Sequence, residues 1–270
     1  AMGLWWATLF LGRTFGSILG GSIAEVWTYE YVFYACSVSA FIGAVLAFVG
    51  VRKKPGLQEK RDNSASEEAA RKNNVPVRLS NTLISMGLSR PVGILFILAL
   101  ITMVGNSLVI YFLPIFAAEQ LKATIFEVGI LMAIFSGVFI IVTPLVGSIS
   151  DKIGRKPLIV VGVGLFGLTV MGYAISSSVY HLALVTVGVG ASLSIVTPCT
   201  LALLTEIVPS NRYGVMMGLY GTFEDLGMVV APLLYSYVWS ALSPTSIFYA
   251  CAVIHMFGVV LSLNLKKITH

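Results

Sequence analysis

Two long apolar runs, Val128–Val146 and Leu158–Ile175, are separated by only eleven residues, and that short stretch holds Asp151, Lys152, Arg155 and Lys156. Each run is long enough to cross a hydrocarbon core of ~30 Å, given a helical rise of ~1.5 Å per residue. The chain must therefore reverse direction at a membrane surface between them. Eight such spans can be placed, at about residues 4–24, 31–50, 92–117, 127–146, 158–176, 181–205, 214–238 and 246–265. Composition agrees: 57% of residues are hydrophobic and only 11% charged, where a soluble domain carries roughly a quarter charged residues. The fold class expected is all-α, a multi-pass transmembrane helical bundle.

Charge then orients the bundle. An even number of spans puts both ends on one side, together with the segment 51–90, the 147–157 turn and the Glu206–Tyr213 turn. That side holds every Lys and Arg except Arg13 and Lys122, whereas the opposite turns carry Glu25, Glu30, Glu119 and Glu127. The positive-inside rule makes the basic side cytoplasmic, so both ends are expected there, in a cell membrane. The net charge of +5 is concentrated in these loops. It reads as a topology signal rather than a nucleic-acid surface. The chain opens from Ala1-Met2-Gly3 straight into apolar sequence without a basic leader region, and reads as part of a longer protein.

Enzymatic and metal readings find little support. Cys36, Cys199 and Cys251 lie far apart inside apolar runs, so neither a disulfide nor a zinc site is expected. Gly162, Gly164 and Gly167 match the spacing of a dinucleotide fingerprint. They lack the preceding strand and the later acidic residue that chemistry requires, and helix packing is the better reading. His181, His255 and His270 stand alone. No catalytic residues and no cofactor are expected.

The turn itself reads Gly147-Ser148-Ile149-Ser150-Asp151-Lys152-Ile153-Gly154-Arg155-Lys156-Pro157. Gly147 and Gly154 allow close approach or unusual dihedrals, and Asp151 can cap a helix start or face a helix N-terminus. The pattern resembles the signature loop of the major facilitator superfamily, found between its second and third helices and again between its eighth and ninth. The resemblance implies a conformational-switch role for Gly147, Asp151, Gly154, Arg155 and Lys156. It also implies a contact of Asp151 with the start of the seventh span near Tyr213 and Gly214.

The first span contains Gly12-Arg13-Thr14-Phe15-Gly16-Ser17-Ile18-Leu19-Gly20-Gly21. Glycines four apart leave one helix face flat for close packing. Gly12, Gly16, Gly20 and Gly21 also resemble the antiporter motif of drug–proton exchangers of the same superfamily, with Ser17 where that motif has Pro. Phe33-Tyr34-Ala35-Cys36 recurs as Phe248-Tyr249-Ala250-Cys251, an offset of 215 residues. The superfamily consists of two parallel six-helix halves. On that reading 1–50 holds the last two helices of the first half, 51–90 is a cytoplasmic linker, and 91–270 is the second half, giving eight of twelve helices. The linker includes Ser64-Ala65-Ser66-Glu67, a capping-box pattern that predicts a short helix over 65–72.

The remaining signals are polar groups inside spans. Asn106 and Tyr111 in the third span, and Ser194 and Thr197 in the sixth, either satisfy neighbouring backbone or, by the resemblance, face a substrate cavity. Glu224 and Asp225 lie mid-span in the seventh, and Arg13 is the base inside the first. Buried membrane charges usually serve function, so the acids are candidates for carrying a coupling proton, with Arg13 as their possible partner; a purely structural pairing is the alternative. The resemblance implies a secondary transporter working by alternating access, with proton-coupled efflux of a small amphipathic compound preferred. Proton-coupled uptake of a metabolite and a non-transporting scaffold or sensor stand as alternatives. The partners expected are a small-molecule substrate, protons and the lipid bilayer, without nucleic acid, the complete protein acting as a monomer.

The charge asymmetry yields a direct test. Cysteines placed near Ser177 and Ser243 should react with an impermeant maleimide added outside sealed cells, and cysteines near Ser66 and Asn211 should not. Labelling at Ser66 from outside would invert the assignment.

Overall fold

A computed structural model describes residues 2–27, 29–50, 90–209 and 212–265. The 51–89 stretch, with the expected helix over 65–72, lies outside the described residues. All regular structure among the described residues is helical: α1 (Met2–Val26), α2 (Tyr29–Gly50), α3 (Arg90–Ser107), a π-turn (Leu108–Phe112), α4 (Leu113–Leu121), α5 (Ile125–Ile153), α6 (Arg155–Ala174), α7 (Val179–Ile207), α8 (Tyr213–Ala241) and α9 (Ser246–Leu263). Five spans among the described residues are by length and composition able to cross a membrane: Arg90–Leu121, Ile125–Ile153, Arg155–Ala174, Val179–Ile207 and Ser246–Leu263. The helices α1 and α8 fall outside that set; both are glycine-rich and carry ionisable residues mid-span. The chain is an all-α membrane bundle.

Among the described residues two compact units form, one of α1 with α3–α9 and one holding α2. Within the larger unit α5 packs on α1 and on α7, α6 on α7 and α9, and α3 on α8, with smaller contacts to α7 and α9. Leu108, Leu131, Phe135, Phe166, Tyr173, Tyr235 and Phe248 are fully buried in one core. Phe248 is its aromatic hub, edge-on to Phe116 at 4.9 Å and beside Tyr173 at 5.3 Å.

Because lipid tails are as apolar as leucine, helices here associate by close packing rather than by hydrophobic expulsion. The α1–α5 seam shows this. A Cβ at Gly129 would sit 2.7 Å from the Ser17 carbonyl oxygen and 3.3 Å from the Gly21 Cα, so the two backbones touch. At the end of the seam where α5 begins, the Glu25 carboxylate accepts from the Phe126 N–H at 2.8 Å. Beside it, Thr124 and Glu127 form a reciprocal capping box. An anion and a side-chain cap thus satisfy free donors at the start of α5. Gly162 and Gly167 do the same packing work for α6: added Cβ atoms there would meet Val196 on α7 at 2.7 Å and Met256 on α9 at 2.6 Å.

The third span departs from regular geometry at Leu108–Phe112. Pro114 follows at the start of α4; its ring has no N–H and clashes with the carbonyl four residues earlier, and the wider turn absorbs that clash. The irregularity that Pro114 brings to this span is therefore a π-turn just ahead of it. The Tyr235 hydroxyl donates to the Val104 carbonyl at 3.3 Å, supporting the backbone below the turn.

Overpacking a backbone contact costs about 1–3 kcal/mol. Gly129→Ala should therefore lower the melting temperature of the detergent-purified protein by several degrees. Gly137→Ala, on the same helix with open space around it, should leave it unchanged or raise it. Equal effects of the two substitutions would show that α1 does not rest on α5.

Candidate functional site

The 147–157 stretch is not a loop. Residues 147–153 are the last turns of α5, α6 begins at Arg155, and Gly154 alone makes the connection, with φ 84° and ψ 162°. That conformation is essentially restricted to glycine. Gly147 is an exposed helical residue with nothing within 4 Å of an added Cβ; the open surroundings mean that it serves no close approach. Asp151 is exposed in the last turn of α5 and does not cap α6, whose N-cap is Gly154. It makes no hydrogen bond or ion pair among the described residues, and none joins it to Tyr213 or Gly214.

The bases of the motif are the bonded groups. Arg155 pairs with Glu206, in the last turn of α7, at 3.0 Å. The Lys156 ammonium donates to the Leu263 carbonyl at the end of α9, at 2.9 Å, where a cation complements the helix dipole. The Tyr213 hydroxyl donates to the Thr205 carbonyl at 2.8 Å, joining the start of α8 to the end of α7. Four helix ends are thus tied together on the basic side of the bundle by partly exposed bonds, each contributing about 1 kcal/mol or less.

The glycine motif of α1 divides in two. Gly21 is buried, with an added Cβ 3.3 Å from the Ile125 carbonyl oxygen, and Gly20 is half-buried. Gly12 and Gly16 face open space instead, with nothing within 4 Å. Ser17, standing where the resembled motif has Pro, turns its hydroxyl back onto the carbonyls of Arg13 at 2.9 Å and Thr14 at 3.1 Å. Such back-bonding loosens and often bends a helix.

Arg13 is exposed, with its guanidinium carbon 5.8 Å from the Phe10 ring centroid. Tyr111 lies within electrostatic range of it and is exposed on the π-turn. The partnership expected between Arg13 and the acids of α8 is not made: no ion pair joins them among the described residues. The reason is architectural, since α1 packs on α5 while α8 packs on α3.

Glu224 is half-buried and Asp225 exposed, next to one another on α8. Neither has a hydrogen bond or ion pair among the described residues. Phe223 stacks on Phe96 of α3 at 5.2 Å, and an added Cβ at Gly227 would lie 2.5 Å from the Leu100 carbonyl oxygen, so this part of α8 is held tightly to α3. One turn before Glu224, and within electrostatic range of it, the buried Tyr220 hydroxyl shares a hydrogen bond of 2.9 Å with Thr200 of α7. Sequence reading missed this Tyr220–Thr200 bridge, because a tyrosine in a span reads as an interfacial or packing residue; the hydroxyl of Thr200, two residues past Pro198, was the available signal.

The remaining cavity candidates separate by burial. Ser194 is fully buried and its hydroxyl donates to the Gly190 carbonyl at 2.7 Å, which makes it a backbone-satisfying group. Asn106 is half-buried with its amide near the Met103 sulfur at 3.7 Å, and Thr197 is half-buried with its carbonyl accepting from Thr200. His255 proves more enclosed than an isolated span histidine: it is buried, stacked on Phe166 at 4.1 Å and bonded through Nδ1 to the Cys251 carbonyl at 2.9 Å. Among the described residues no three His, Cys, Asp or Glu side chains gather into a metal-binding set.

A family model described as Major Facilitator Superfamily matches residues 95–269. An uncharacterized transporter of that type from Methanocaldococcus jannaschii is 23% identical over 273 aligned residues, covering 98% of this chain and 66% of that protein. Solute carrier family 22 member 18 of Rattus norvegicus is 24% identical over 225 residues, covering 83% of this chain and 53% of the relative. The quinolone resistance protein NorA of Staphylococcus aureus is 27% identical over 145 residues, 54% of this chain and 37% of that protein. The chain thus spans two thirds or less of the length of these relatives. A helical membrane bundle, a glycine turn flanked by bonded bases, and a family match over most of the length lead to one assignment: this chain belongs to the major facilitator superfamily.

Proposed function

We propose that the whole protein is a proton-coupled exporter of small amphipathic compounds, working as a monomer by alternating access in the cell membrane with its basic side cytoplasmic. The observation that carries this reading is the unpaired Glu224–Asp225 pair on α8. Glu224 lies eleven residues after Tyr213, hence ~16 Å into the helix. An ionised acid at such depth costs roughly 2.5–3.5 kcal/mol on insertion scales, and the structure supplies no cation to offset it among the described residues. A protonatable group is the economical explanation: hydrated and charged when the site is open to water, neutral when closure removes that water. The Tyr220–Thr200 bridge fixes α8 against α7 beside the acid, so a change in its charge is felt at the seam between two helices. The export direction draws support from the antiporter-like α1 motif and from the likeness to a quinolone resistance protein.

Glu224→Gln imitates the neutral acid in shape. In proteoliposomes of the full natural protein it should reduce pH-gradient-driven accumulation of substrate by about tenfold or more, a coupling of the usual allosteric size. Substrate counterflow, which needs no net proton movement, should stay within about twofold of wild type by the same measure. Full uphill transport by both Glu224→Gln and Asp225→Asn would make the pair structural and move coupling elsewhere. Transport by wild type that dissipates no proton gradient would remove the proton from the mechanism altogether.

A further inference from the structure

A cavity of about 280 Å³ lies where α6 passes into α7, lined by Gly172, Ile175, Ser176, His181, Leu184 and Val185. Gly172 helps to keep it open, since an added Cβ there would stand 2.8 Å from the Val185 Cγ2. Both walls belong to one helical hairpin. Apolar side chains on and beside those walls turn away from the core, with Ile175 78%, Leu184 74% and Tyr180 86% exposed. Val185 is the seventh residue of α7, so the cavity reaches ~9 Å along that helix from its start. Its deeper part is apolar and its mouth is polar. At the mouth the Ser177 hydroxyl lies 3.4 Å from the His181 Nδ1, whereas the Ser176 hydroxyl is turned back onto the Gly172 carbonyl at 2.8 Å.

Water held in a cavity needs about two to four polar partners, and the side chains of Ile175, Leu184 and Val185 offer none. Left empty, the lining forfeits its dispersion contacts. The volume falls short of the ~300–1,000 Å³ typical of sites that enclose a drug-sized molecule, while a single hydrocarbon chain needs only its own width. We propose that this cavity is a phospholipid site, taking the upper part of one acyl chain between α6 and α7 and the phosphate at the Ser177–His181 mouth. Charge is complementary: no Asp or Glu occurs between Lys152 and Thr205, so nothing on the hairpin repels an anion. When the Ser177 hydroxyl donates to Nδ1, the His181 Nε2 carries the hydrogen and donates outward to a phosphate oxygen. The chain itself confers little preference, because entering the cavity exchanges one apolar neighbour for another. Selection therefore falls to the head group at the mouth. The site requires only the membrane fold and is independent of the transport reading.

A phosphatidylcholine and a diacylglycerol that carry the same diazirine-labelled acyl chain differ only in the head group. Each can be added as a tracer to vesicles holding the full natural protein, and the adducts formed on illumination mapped by peptide mass spectrometry. Within residues 172–185 the phospholipid should exceed the diacylglycerol about tenfold, one charge-assisted contact at ~1.4 kcal/mol. On the exposed α9 face at Val253, Phe257 and Val260 the two tracers should agree within about twofold. Ser176→Leu fills the cavity from the α6 side and Leu184→Trp from the α7 side. Either should lower adducts at 172–185 about tenfold while labelling of α9 stays as in wild type, which also reports that the variant is folded. Replacing Ser177 and His181 together by Ala should abolish the head-group preference and leave the diacylglycerol adducts unchanged. Absence of adducts at 172–185, equal labelling there by the two tracers, undiminished labelling in both filled variants, or a preference that survives the double Ala replacement would each overturn the site.

Discussion

Inside a bilayer the backbone has no water to bond with, so each N–H and C=O must find its partner within the protein. Many polar details among the described residues reflect that requirement. Thr102, Thr186, Ser192 and Ser194 spend their hydroxyls on carbonyls four residues back. Pro114 removes one donor from the third span, and the chain answers with a π-turn just ahead of it. At the N-terminal end of α5, where donors run out of carbonyls, Thr124, Glu127 and Glu25 take their place. Groups without such a bond among the described residues stand out against this background: the carboxylates of Glu224 and Asp225, the Ser107 and Thr143 hydroxyls and the His255 Nε2.

The fold was legible because length and apolarity act locally. The run 127–146 marks α5 without any knowledge of its neighbours. Its true end at Ile153 was not legible, since apolarity stops at the hydrocarbon boundary while the helix continues into the polar zone through Asp151 and Lys152. A charged stretch bounded by glycines reads as a loop, yet only Gly154 leaves the helical region. Site residues were legible as residue types but not as partners. Arg13 and the acids of α8 are natural mates in one dimension; the packing order of helices, which no single span encodes, keeps them apart. Likewise Ser194 and Thr200 look alike in sequence, and rotation about α7 decides that one is sealed on its own backbone while the other reaches Tyr220.

The two ends of the bundle are built by different means. Near the start of α5, α1 and α5 meet through glycine and serine backbone with little room for adjustment. At the basic end the helices are joined by long side chains, Arg155 to Glu206 and Lys156 to Leu263. Close backbone packing resists sliding, whereas partly exposed ion pairs break and re-form at small cost. Rearrangement is therefore easier at the basic end.

The single residue between α5 and α6 has a mechanical consequence. A connection of one glycine offers two soft torsions, φ and ψ of Gly154, and no slack length. The two helices behave as rigid bars sharing a pin. Any tilt of α5, driven from its seam with α1, must displace the first turn of α6, and with it the arginine and lysine that grip α7 and α9. How closely the first turn of α6 follows α5 is thus set by a residue that carries no side chain.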